Sequence, residues 1–144
     1  MKGILFLCVA NSARSPMAEG IARFLAPPGV KIWSAGSNPT SVRREAVQVL
    51  REIDIDISNY RSKPVTEIPQ TEVDTVITLC AEEECPVFLG KAERLHWGLP
   101  DPAAVHGSET ERMNAFRQTR DELLRRISEF MQLFSKVPLQ SSSQ

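Results

Sequence analysis

The chain has 144 residues, 42% of them hydrophobic and 24% charged, with a formal net charge of −1. That is one globular domain of ordinary size, with enough apolar residues to bury a real core. With charge so nearly balanced, no global field draws in nucleic acid or an anionic membrane, and any anion chemistry must come from local groups. Three cysteines, an odd number, argue against a secreted disulfide framework.

The opening run MKGILFLC holds too few apolar residues for a signal peptide or membrane span and reads as a buried strand over 3–8. The cytoplasm is therefore the expected location. Ser15-Pro16-Met17-Ala18-Glu19 reads as a helix start, with serine at the cap, proline in the first turn and an acid near the positive end. Met17, Ile21, Phe24 and Leu25 give that helix an apolar face, and Pro27-Pro28-Gly29 ends it. A second strand is expected over 30–34 and a second helix over 41–53, where Val42, Ala46, Val49, Leu50 and Ile53 recur at helical spacing. Residues 54–71 read mostly as loop. A third strand over 73–80 ends, like the first, at a cysteine, and a fourth is expected over 94–97.

Ser108-Glu109-Thr110-Glu111 has the form of a capping box. It opens a long last helix carrying Met113, Phe116, Leu123, Leu124, Ile127, Phe130, Met131 and Phe134. Residues 1–137 are expected to form a single domain, and 138–144 a disordered tail.

Strands alternating with helices imply an α/β fold, a four-stranded parallel sheet with helices on both faces. The flavodoxin-like, doubly wound order 2-1-3-4 is the economical topology. It puts the ligand crevice beyond the carboxyl ends of strands 1 and 3. Cys8 and Cys80 would then end neighbouring strands roughly 5 Å apart, at one crevice.

The stretch CVANSARS, residues 8–15, carries the chemistry. Between Cys8 and Arg14 lie Val9, Ala10, Asn11, Ser12 and Ala13, whose amides can curl into a cradle at a helix N-terminus, a site for a tetrahedral oxyanion. Arg14 adds a two-pronged donor for equatorial oxygens. The same positive surroundings stabilise a thiolate at Cys8, Ser15 can donate a hydrogen bond to its sulfur, and Asn11 tolerates a left-handed backbone. The blander reading is a buried strand-end thiol beside a surface arginine. A strand before the loop and a Ser-Pro helix start after it favour the functional one. Asp101, held between Pro100 and Pro102 past the fourth strand, can protonate a departing oxygen.

CVANSARSPMAEG resembles the anion loop of the low-molecular-weight tyrosine phosphatase superfamily. Its Asn-Ser-x-Arg-Ser form is most similar to the thioredoxin-coupled arsenate reductases within it. The likeness continues through SAG at 34–36, DISNYRS at 56–62, VITLC at 76–80 and HWGLPDPA at 96–103. The resemblance implies Cys8 as nucleophile, Arg14 as oxyanion clamp, Ser15 as thiolate stabiliser and Asp101 as general acid. It also implies a relay: Cys8 attacks arsenate, Cys80 attacks Cys8 as arsenite departs, and Cys85 takes over the disulfide. Thioredoxin is the implied reductant, with glutaredoxin and glutathione open. No bound cofactor, nucleic acid or membrane partner is expected.

A phosphatase, the alternative, needs only the first thiol, whereas a reductase must place a second at the first one's sulfur. A non-catalytic oxyanion-binding module is a third possibility. Ala103-Ala104 after Asp101-Pro102 provide no ring to stack on phosphotyrosine, which favours a small inorganic anion. In a regular helix Cys80 and Cys85 would stand roughly 8–9 Å apart. That is beyond the disulfide reach of about 7 Å, so residues 80–85 must loop out or unwind on oxidation. Glu82, Glu83 and Glu84 are expected to keep these thiols protonated. Relatives often hold potassium through an aspartate after the DISN stretch; here Lys63 follows Ser62, and its ammonium is expected to replace the ion near Asn11, Glu19 and Ser34. No metal is expected.

Overall fold

Every residue of β1 (Gly3–Cys8) is buried, as a central strand covered on both faces must be. The computed structural model describes residues 2–81 and 85–142, with side chains as far as residue 133. β1 pairs in parallel with β2 (Lys31–Gly36) on one side and β3 (Thr75–Thr78) on the other, and β3 pairs with β4 (Glu93–His96). The order is β2-β1-β3-β4, as the alternation of elements implies. Leu7 lies opposite Thr78, so Cys8 and Cys80 follow adjacent strands out of the same end of the sheet.

Alternate residues of β1 feed two separate cores. Ile4 and Phe6 join Met17 and Ile21 of α1 (Arg14–Leu25), Val49 and Leu50 of α2 (Arg44–Arg51), and Phe116, Leu123 and Ile127 of α3 (Glu109–Ser142). Leu5 and Leu7 face the other way, against Ile68, Val73, Val76 and Phe88. Among the described residues, α1, α2 and α3 all feed the first core, and the second face carries the short 3-10 turns Val65–Glu67 and Gln70–Glu72 and the irregular segment around Phe88. Pro64, Pro69 and Pro86 interrupt this region, and each denies a helix interior one amide and clashes with the preceding turn.

The capping box at α3 forms as written. Glu111 N donates to Ser108 Oγ at 3.1 Å, and Ser108 N donates to Glu111 Oε1 at 3.0 Å. α3 extends to Ser142, over part of the stretch expected as a tail. An established helix needs no new nucleus to add residues. Residues 143–144, and the side chain of Phe134, lie outside what is described.

α2 and α3 are clamped where α2 ends. Arg117 Nη2 donates to Glu52 Oε2 at 2.8 Å, and Arg120 Nη1 to Glu52 Oε1 at 2.7 Å. The Arg117 hydrogen bond first, and the Arg120 bond second, bring the Glu52 pKa down to about 2. A folded-state pKa below the unfolded value stabilises the fold above the ordinary carboxylate range and is lost as pH falls through the folded value. Glu52→Gln should therefore lower stability above pH 4.5, with the gap to the parent closing by about pH 2. The side chain is 38% exposed, so solvent screening limits the neutral-pH loss to about 0.5–1 kcal/mol. Urea unfolding at stepped pH measures it.

Candidate active site

The loop from Val9 to Ala13 is shaped by neighbours remote in sequence. Asn38 N, Thr40 N and Arg43 N donate to the carbonyls of Val9, Ala10 and Ser12 at 2.9, 3.1 and 2.9 Å. A trans peptide turns its C=O and N–H in opposite directions. With the carbonyls held by the 38–43 segment, the amides of Ala10, Asn11 and Ala13 turn away from it, toward the anion cradle. Gly36 closes on the loop so tightly that a Cβ there would collide with the backbone oxygen of Val9. α1 begins at Arg14, not at a serine cap, and Ala13 supplies no side-chain cap. The first amides of α1 thus remain oriented toward an anion. Ser15, expected as the cap, turns its hydroxyl to Cys8 Sγ at 2.8 Å instead.

Asn11 is the keystone of this arrangement, at φ 50°. Its Nδ2 donates to Ser15 Oγ at 2.7 Å and Ser34 Oγ at 3.1 Å, its Oδ1 accepts from Lys63 N at 2.9 Å, and its carbonyl accepts from Ser62 Oγ. Ser34 in turn donates to Glu19 Oε1 at 2.6 Å. Because Ser15 Oγ accepts from Asn11, its own hydrogen turns to the sulfur, the only direction a thiolate permits. The buried Glu19 also pairs with Arg23 at 2.8 Å.

A cavity of about 180 Å³ opens over the loop, lined by Cys8, Val9, Ala10, Ser12, Ala13, Arg14 and Asp101. Larger surface hollows, one of about 500 Å³ beside Trp33, contain none of these groups. Arg14 is buried, and its Nη1 donates to Leu99 O at 3.0 Å and Leu79 O at 3.4 Å. Its Nη2 stands 3.8 Å from Asp101 Oδ2. Asp101 caps the 3-10 turn Pro102–Ala104 by accepting from Ala103 N at 2.9 Å, which fixes its carboxylate at the cavity rim.

Cys80 lies fully buried, two residues past the end of β3. Burial pushes its thiol well up, and a hydrogen bond with Cys85 and the charges of Cys85 and Cys8 add to the rise, while Arg14 opposes it. Cys80 thus feels both of the other thiols. Ala81 sits in a bend and Cys85 in irregular chain, so neither described end of the segment joining the two cysteines is helical. Glu82, Glu83 and Glu84, expected to tune these thiols, lie outside the described residues.

Lys63 Nζ stands 3.8 Å from Glu19 Oε1 and donates to Arg61 O at 3.3 Å. Burial lowers its pKa, with Glu19 pulling the other way. Sequence reading missed Ser62 and Arg23, and the carbonyls that hold Arg14. A serine or arginine in a loop or helix has no spacing signal, and a backbone acceptor has no residue type at all.

Residues 3–138 match the family described as low molecular weight phosphotyrosine protein phosphatase. The chain belongs to this family. Among its relatives, the arsenate reductase of Bacillus subtilis (strain 168) is 40% identical over 131 residues, covering 90% of this chain and 94% of that one. A solved arsenate reductase in the phosphate-binding state is 30% identical, with a TM-score of 0.74 over 91% of this chain and 97% of that one. The thioredoxin-dependent arsenate reductase of Corynebacterium glutamicum is 27% identical, with a TM-score of 0.60 over 88% of this chain and 62% of that one. In this low-molecular-weight phosphatase scaffold the Cys8 loop lies at the carboxyl end of β1. Cys80 and Cys85 go beyond what ester hydrolysis requires.

Proposed function

We propose that this protein is an arsenate reductase working by a three-cysteine relay. The observation that supports it is a second, fully buried thiol, Cys80, just past the end of the strand paired with β1, whose own end carries Cys8 at the cavity over the loop. Arsenate binds the loop amides and Arg14. The Cys8 thiolate, steadied by Ser15, attacks arsenic, and Asp101 gives a proton to the oxygen that leaves as water. The Cys80 thiolate then attacks Cys8 Sγ. The S–As electron pair passes to arsenic, which leaves as arsenite, and a Cys8–Cys80 disulfide remains. Cys85 attacks Cys80, Cys8 departs as thiolate, and an external dithiol reduces the Cys80–Cys85 bond. Similarity to a thioredoxin-dependent enzyme favours thioredoxin over glutaredoxin with glutathione. A reducing compartment such as the cytoplasm suits three thiols held ready. No helix among the described residues is long and apolar enough to cross a membrane.

Hydrolysis of small phosphate esters at Cys8 is the second reading, favoured by the family itself. The deciding assay is arsenite production with purified thioredoxin and thioredoxin reductase, alongside aryl phosphate hydrolysis. Phosphate release with no arsenite under any thiol system would leave a phosphatase.

Potassium does not fit the Asn11–Glu19–Ser34 corner here, since the Lys63 ammonium already faces Glu19. Exchanging potassium for sodium should leave turnover unchanged within about twofold, because a fixed ammonium at this distance supplies the same charge. A strong potassium requirement in steady-state assays would remove Lys63 from that role.

A further inference from the structure

We propose that Arg94 is a positioning residue for the second thiol exchange, holding the chain after Cys85 so that its sulfur stays at Cys80. The inference rests on the relay reading and adds a residue to it.

The segment 85–90 has little regular structure of its own, yet it is anchored at its far end. Phe88 is buried in the second core with Leu5, Leu7 and Val76, while Val87 and Leu89 on either side are 73% and 81% exposed. One side chain in three thus plugs the segment to the sheet. Arg94, opposite Val76 in the β3–β4 pairing, closes over that plug. Its Nη2 donates to Phe88 O at 2.6 Å and to Gly90 O at 3.0 Å. Gly90 packs so close to the ring that a Cβ would meet Phe88 Cε2 at 2.5 Å. The chain between Cys80 and Cys85 is only four residues, so both its ends are fixed: Cys80 by β3, and Cys85 by a latch starting three residues on.

The chemistry needs such a latch. In the exchange the Cys85 thiolate forms a bond to Cys80 Sγ as the Cys8–Cys80 bond breaks and Cys8 takes the electron pair. No net oxidation occurs, so the rate depends on how often the attacking sulfur stands in line. An untethered segment lowers that local concentration. Cys8 and Cys80 sit on other elements, so the steps up to arsenite release do not use the latch.

Reduced protein is mixed with one equivalent of arsenate and no external reductant, quenched by acid at intervals, alkylated and mapped by mass spectrometry. The parent should end with Cys80–Cys85 linked and Cys8 as thiol. Arg94→Gln should release arsenite at the parental rate and hydrolyse aryl phosphate normally, but accumulate Cys8–Cys80 with the second exchange about fivefold slower. Arg94→Lys, which keeps one donor on the carbonyls, should fall between the two, a graded rescue that general destabilisation would not produce. Equal exchange rates in parent and Arg94→Gln would overturn the latch and leave the relay intact. A parent that makes arsenite but never the Cys80–Cys85 bond would overturn the relay, and the latch with it.

Discussion

Cys80→Ser protein is expected to hydrolyse aryl phosphates at the parental rate and to release no arsenite above background. The two reactions share everything up to the covalent intermediate on Cys8. They part at the next step, where water resolves a phosphocysteine but only a thiolate can take Cys8 Sγ into a disulfide. A serine is close to cysteine in size, fits the buried site at position 80 and cannot form the S–S bond. Arsenite production should fall by more than about 10³-fold, since the step has no other route inside the protein. Arsenic speciation by liquid chromatography, with thioredoxin as sole reductant, reads one activity, and release of a nitrophenol reads the other. Sustained arsenite formation by this variant would end the relay.

The position of Cys80 adds a pH signature. Burial and the Cys85 hydrogen bond raise its pKa, so at neutral pH the attacking thiolate is scarce. Arsenate turnover limited by this step should climb with pH as Cys80 ionises. Aryl phosphate hydrolysis does not pass through Cys80 and should not share the climb.

What could be read without coordinates was whatever local pattern or strand periodicity encodes. β1, β3 and their shared crevice follow from two apolar runs that each end at a cysteine, and the α3 start from four residues of capping box. The start of α1 was misread for a physical reason. Ser15-Pro16 has the composition of a cap, but the amides that a cap would satisfy are reserved for an anion, and the serine serves the sulfur instead. The latch at Arg94 was invisible because its acceptors are backbone carbonyls, which any residue provides. The Cys80–Cys85 pair was legible as chemistry but not as geometry. Helical spacing sets a separation too long for a disulfide, whereas the chain entering Cys85 and leading to the buried Phe88 is irregular, a conformation that carries no sequence period.

Arg14→Lys should lower kcat/KM for arsenate and for aryl phosphate together, by about 10²–10³-fold, the size of effect seen when a fixed transition-state donor is lost. Charge is conserved, so any loss comes from geometry. A guanidinium can span Leu99 O and Leu79 O with one nitrogen while its other arm lies 3.8 Å from Asp101. An ammonium is a single point without a fork, and it cannot hold those carbonyls and meet two oxyanion oxygens at once. The same two carbonyls tie Arg14 to the end of β3, just before Cys80, and to the turn before Asp101, so the clamp registers three parts of the site against one another. Because both reactions need that register before they diverge, their ratio should stay within about threefold of the parent while both rates collapse. If arsenate reduction alone were damaged, Arg14 would be acting on the Cys80 thiolate and not on the bound anion. Steady-state kinetics on the two substrates with one preparation decides between these roles.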